Sequence, residues 1–216
     1  MSASKSVETV EQFARDDAEL LDSQPLYQGF FSCQGLTLRH RLFAGGWSED
    51  YHRELFERGN AAAVLLYDAA RDSVALVEQF RVGALASTLP GGERPTPWLF
   101  EVVAGIIEPG ETAEAVARRE SEEEAGCVIG ELEHIAGYYP SPGACSEYIE
   151  LFCASVDSAE LGGLHGLSDE HEDIRLHVLT RDQAWQWLLE GRLNNASTLI
   201  AMQWLQMNVT RLRQQW

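Results

Sequence analysis

At 216 residues, 45% of them hydrophobic, the chain is long enough for one large domain, or for a core domain with an N-terminal extension, and should fold without staples. Asp and Glu outnumber Lys and Arg by 34 to 16, and the resulting net charge of −18 argues against a nucleic-acid partner and requires that any anionic substrate be met by cations at its site. Four scattered cysteines without a C-x-x-C pair, no leader-like apolar run and no stretch near the ~20 apolar residues of a membrane span give the expectation of a soluble, cytoplasmic chain with reduced thiols.

In chain order, residues 1–24 are polar and acidic and suit a short helix or an edge strand equally. Alternation of apolar and polar residues over 26–44 predicts two strands around a turn at Gln34-Gly35. The runs Ala61–Tyr67 and Ser73–Val77 predict buried strands over 61–67 and 73–80, separated by the turn-rich Asp68–Asp72. A loop covers 84–97, punctuated by Pro90, Gly91, Gly92 and Pro95, and Trp98–Ala104 reads as a strand running into Gly105. A helix over 112–125, strands near 131–138 and 146–154 and a second loop over 157–173 follow. The C-terminal part reads as helical: Thr180 and Gln183 have capping-box form, Gly191 is a stop, and Leu199, Met202, Leu205, Val209, Leu212 and Trp216 recur every three or four positions. Strands first and helices interleaved later predict an α/β domain of α/β/α layers.

The chemistry is concentrated between Gly105 and Gly126. Pro109-Gly110 turns the chain, Thr112 can cap a helix, and Gly126 suits the left-handed residue that ends it. Ala113, Val116 and Ala117 form an apolar stripe whose continuation lands on Glu120 and Glu124, roughly 40° apart around the axis and ~6 Å along it. Glu120, Glu122, Glu123 and Glu124 crowd the C-terminal end of that helix, where like charges and the helix dipole each disfavour them. An acidic run is most often a solvated helix face. A hard divalent cation removes the penalty, because carboxylate oxygens are its preferred ligands, and Arg119 can pin one of the carboxylates.

This segment resembles the signature box of the Nudix hydrolase family: Gly105, five residues, Glu111, seven residues, Arg119-Glu120, two residues, Glu123-Glu124, one residue, Gly126. Ser121 and Cys127 stand where the family usually has aliphatic residues. The resemblance implies a Nudix-type α/β/α sandwich with a mixed sheet, formed by 59–216, and a β-rich extension over 1–58 that dimerises. It also implies Mg²⁺, with Mn²⁺ able to substitute, held by Glu120, Glu124 and the Ala104 carbonyl, with Glu123 as a closer or water-mediated partner and Glu111 and Arg119 bracing the loop.

Beyond the box, Tyr139-Pro140-Ser141-Pro142-Gly143, Phe30-Phe31, Arg53–Gly59, Glu78–Arg81, Gly163–Leu167 and Glu170–Ile174 are similar to bacterial ADP-ribose pyrophosphatases. That subfamily implies hydrolysis of ADP-ribose to AMP and ribose 5-phosphate in a homodimer. Phe30 would stack on adenine, Arg53 and Arg81 would meet phosphate or ribose, and Glu101, Pro142 and Gly143 would complete the substrate site. For the proton acceptor that water needs when it attacks phosphorus, Glu170 fits best, with Glu172 as reserve. His165 and His171 lie in the same segment and receive no role. Two other functions stay open: the same chemistry on another nucleotide sugar or a dinucleotide, and a non-catalytic ADP-ribose sensor. The sensor would need a basic DNA-reading face and would be expected to lack a box glutamate; the first is absent and every glutamate is present.

Overall fold

The computed structural model describes residues 12–168 and 171–216. The chain divides into two compact units, one of residues 1–58 with 141–146 and one of 59–140 with 147–216.

After a short 3₁₀ turn at Arg15–Asp17, the first unit is a three-stranded antiparallel sheet of β1 (Ala18–Gln28), β2 (Ser32–His40) and β3 (Tyr51–Glu57) in sequence order. The turn expected at Gln34-Gly35 lies elsewhere: Gly29, Phe30 and Phe31 join β1 to β2, and Gly35 is mid-strand, opposite Gln24 on one side and Glu54 on the other. Its missing side chain serves packing, since a Cβ there would stand 3.2 Å from the Leu26 side chain. β3 was not expected from the sequence. Residues 141–146 attach to it, with the Phe56 amide donating to the Ala144 carbonyl at 2.8 Å and the Ser146 hydroxyl to the Glu57 carboxylate at 2.5 Å.

The second unit is built on β4 (Ala61–Asp68) and β5 (Ser73–Phe80), both where their apolar runs predict them. The helix α1 (Val82–Ala86) opens the segment read as a loop, and β6 (Trp98–Glu101), β7 (Val103–Ile106), α2 (Ala113–Ala125), β8 (Leu132–Tyr138) and β9 (Ile149–Ser155) follow. Two strands went unforeseen: β10 (Gly163–His165) within the second loop, and β11 (Ile174–Thr180) where a wholly helical ending was expected. Then come α3 (Arg181–Leu189) and α4 (Ala196–Gln215). The sheet runs β10-β11-β5-β4-β9-β8 and is mixed, because β4 and β9 pair in parallel.

The strand expected over Trp98–Ala104 is a fork. β6 pairs with β5 and β7 with β4, and the break falls at Val102, whose amide leaves the ladder to donate to the Thr198 hydroxyl at 3.0 Å.

All eight residues of β4 are buried, as a strand covered on both faces requires. Ala63, Leu65 and Tyr67 pack with Ala184 of α3 and with Ala201, Met202 and Leu205 of α4, whereas Ala62, Val64 and Leu66 pack with Val116, Ala117 and Ala125 of α2. Alternate residues therefore face opposite helix layers, which makes this unit an α/β/α sandwich. Hydroxyl and amide caps fix the helix starts: Thr112, Thr180 and Asn195 each accept an amide three residues on, at 3.2, 3.2 and 3.1 Å. No helix among the described residues is long and apolar enough to cross a membrane.

Candidate active site

The box helix α2 starts at Thr112 and ends at Gly126, whose φ of 62° is the left-handed conformation that only glycine adopts without strain. Its apolar stripe docks on β4 through Val116 and Ala117, and the same face carries Ser121 and Glu124, both fully enclosed. Ser121, at a place usually aliphatic, satisfies its hydroxyl by donating to the Ala117 carbonyl at 2.7 Å.

Around Arg119 the box closes on itself. One guanidinium nitrogen donates to Glu120 Oε1 at 2.7 Å and to Glu123 Oε2 at 2.9 Å, and Nε donates to Glu111 Oε1 at 3.3 Å. Glu111 in turn accepts the Glu108 amide at 3.0 Å; that bond, then Arg119, holds its carboxyl below the usual range. Gly105 belongs here for steric reasons, because a Cβ would collide with the Glu120 carboxylate.

Glu124 is only 2% exposed, and its Oε2 accepts the Ala104 amide at 3.1 Å. Burial pushes its carboxyl up to about 8 against the pull of that amide, and the charges of Glu120 and Glu172 push the same way. Glu120 is also raised, chiefly by burial. Glu172 thus lies in the field of both box glutamates. Its carboxylate accepts the Leu167 amide at 3.2 Å, and its own amide donates to the Leu167 carbonyl at 3.1 Å. Glu170 falls outside the described residues.

Among the described residues, no three acidic, histidine or cysteine side chains converge closely enough to hold an ion as they stand. The donor chemistry nonetheless fits a hard divalent cation. An enclosed carboxylate with two further carboxylates in its field is a set of oxygen ligands whose mutual repulsion a cation would relieve.

Arg81 and Glu101 meet in a pair at 2.5 Å, and the Arg81 charge acts on Glu124 in the opposite sense to the other glutamates. Two residues before Arg81 on β5, the buried Gln79 has a side-chain nitrogen with no partner among the described residues, a feature the sequence did not signal.

The remaining candidates belong to the first unit. Phe30 is 88% exposed at the β1–β2 turn and packs edge-on against Phe31. Arg53 lies on β3 with its guanidinium 4.7 Å above the Tyr51 ring and donates to the His52 carbonyl at 2.8 Å. A cavity of about 550 Å³ in this unit is lined by Leu26, Thr37, His52, Arg53, Glu54 and Gly143. Pro142, beside Gly143, is exposed.

A family profile described as the NUDIX domain matches residues 57–201. The ADP-ribose pyrophosphatase of Haemophilus influenzae is 47% identical over 212 residues, spanning 98% of this chain and 96% of that protein. The ADP-ribose pyrophosphatase of Escherichia coli strain K12 is 45% identical over 204 residues, 94% of this chain and 95% of that one. More distant is the GDP-mannose pyrophosphatase of Enterobacter sp. strain 638, 32% identical over 158 residues, 73% of this chain and 79% of its own.

Proposed function

This chain belongs to the NUDIX domain family, and on that premise we propose that it hydrolyses the diphosphate link of ADP-ribose to AMP and ribose 5-phosphate. The observation that carries the reading is the enclosed Glu124 with Glu120 and Glu172 in its field, in a chain that aligns almost end to end with proteins of that name. Glu120, Glu124 and the Ala104 carbonyl would hold a divalent cation, Mg²⁺ by preference and Mn²⁺ in its place, with Glu123 as a closer or water-mediated partner. When bound, the cation neutralises the diphosphate and polarises the P–O bond that breaks.

The protein's own groups do the rest. Arg119 and Glu111 keep the box glutamates in place, and Gly105 lets Glu120 approach the strand. Arg81, oriented by Glu101, and Arg53 supply positive charge to phosphate and ribose, where a planar guanidinium matches paired oxygens. Phe30 stacks on adenine, and Pro142 and Gly143 complete the substrate site. Glu170, with Glu172 as the alternative, takes the proton of the attacking water as its oxygen bonds to phosphorus and the bridging oxygen leaves with the second phosphate. The extension over 1–58 dimerises; its exposed Phe13, Leu20, Leu21 and Phe43 support that reading.

Incubation with ADP-ribose and Mg²⁺ in water labelled with a heavy oxygen isotope, followed by mass analysis, tests the reading. AMP and ribose 5-phosphate, one of them labelled, are expected; unchanged ADP-ribose would refute it. The similarity to a GDP-mannose pyrophosphatase favours one second reading, hydrolysis of another nucleotide sugar, and a panel including GDP-mannose separates the two.

A further inference from the structure

The last turn of α2 uses two of its carbonyls internally. The Gly126 amide donates to the Glu122 carbonyl and the Cys127 amide to the Ser121 carbonyl, both at 3.1 Å. The Glu123 carbonyl is taken from outside, by the Gly166 amide at 3.2 Å. Immediately before Gly166, the His165 ring lies against Gly126: a Cβ on that glycine would come within 2.6 Å of the ring's Cε1. The neighbouring ring atom Nε2 makes a 2.9 Å hydrogen bond with the Gly162 carbonyl. A carbonyl only accepts, so Nε2 carries the proton in this arrangement. Gly166 is left-handed, with φ of 94°, and a side chain there would strike Glu172. The next residue, Leu167, is tied to Glu172 through both of its backbone groups.

These contacts form an unbroken series from the glycine that ends the box to Leu167 and Glu172. β10 is only three residues long and cannot fix these two residues by its ladder alone. We propose that His165 is a positioning residue for hydrolysis: its ring, seated on Gly126 and held by Gly162, brings Leu167 and the Glu172 bonded to it to the turn of α2 that carries Glu123 and Glu124. Gly126 on this account has two functions, the left-handed helix end and the seat for the ring. The inference rests on the hydrolytic reading above for its effect on turnover, and not for the anchor itself.

Three variants test it in the full chain: His165→Ala, His165→Gln, which keeps an N–H donor near the Nε2 position, and His165→Phe, which keeps the ring without the donor. Steady-state kinetics on ADP-ribose with Mg²⁺ is paired with hydrogen exchange of segment 163–168. In His165→Ala, kcat should fall on the order of tenfold or more while KM stays within about twofold, as for outer residues that orient reacting groups. Exchange at the Gly166 amide should quicken, and His165→Gln should recover most of both losses. An unchanged kcat, a rise in KM alone, or a Gln variant as impaired as Ala would overturn the proposal. Should His165→Ala not fold, the Gln and Phe variants decide: the anchor predicts higher kcat and slower Gly166 exchange in Gln than in Phe, and equal behaviour removes it. If the wild type leaves ADP-ribose intact, the functional reading fails on its own, and Gly166 exchange still decides the anchor, quickened supporting it and unaltered refuting it.

Discussion

Glu124 burdens the fold that carries it. Its carboxyl is raised to about 8 by enclosure and neighbouring charge, above the ~4.3 of an unfolded glutamate. The neutral form is therefore the one the fold favours. The stability this group contributes is complete below pH ~4.3 and is lost as pH rises through about 8. A melting series without divalent cations should show the wild type losing more stability than Glu124→Gln across that window. Added Mg²⁺ should restore the wild type and leave the variant unmoved, and kcat in the variant should fall on the order of 100-fold or more. Arg119 contributes through orientation. Lysine keeps the charge but cannot reach Glu111, Glu120 and Glu123 together, so Arg119→Lys should lower kcat by about 10–100-fold with little change in melting temperature. Helical spacing was enough to put Glu120 and Glu124 on one face beforehand. Spacing could not reveal the Arg81–Glu101 pair or the seat of His165, because both join segments that only the folded sheet and loops bring together.

Asp68 ends β4 as a buried anion bonded on all sides. Its carboxylate accepts from the Ser158 amide and hydroxyl at 2.9 and 2.7 Å, the Ala70 and Arg71 amides at 2.9 Å each, and the Arg71 guanidinium at 2.9 Å. Burial alone would raise its pKa, but these bonds together hold it well below the usual range. The sign is opposite to that of Glu124: stability from Asp68 is present above pH ~3.9 and drains away as pH falls through the lowered native value. Asp68→Ala should cost about 2–3 kcal/mol by denaturant unfolding at neutral pH, since it strands the Ser158 amide, and should weaken the acid sensitivity of what remains. At this scale the sequence was most legible where one period dominates. The apolar runs of β4 and β5, the stripe of α2 and that of α4 all lie where expected. β3 escaped because Arg53, Glu54 and Glu57 break its apolar pattern, β10 because three residues show no period, and β11 because its alternation of Ile174, Leu176 and Val178 runs straight into the helix cap at Thr180, while Gly35 misled because a glycine that makes room for a neighbour looks the same in sequence as one that turns the chain.

For the molecule as a whole, the net charge of −18 opposes the approach of a diphosphate. Raising KCl at fixed Mg²⁺ from low to moderate ionic strength should increase kcat/KM for ADP-ribose, because screening weakens that repulsion; a steep fall would show that local positive charge controls encounter instead. Light scattering should return twice the monomer mass if the extension dimerises.

The fork between β6 and β7 has its own reach. The strand opens because Thr198, near the start of α4, takes an amide that a continuous ladder would keep, and Asn195 at the same helix start donates to the Phe100 carbonyl at 2.8 Å. The far end of the polypeptide thereby holds open the gap that sets Glu101 and Ala104 on separate prongs. A nonsense codon ahead of Asn195 would leave the whole signature intact on the page and yet remove the peg on which two of its neighbours hang, so a survey that scored only the box would count a broken gene as a working one.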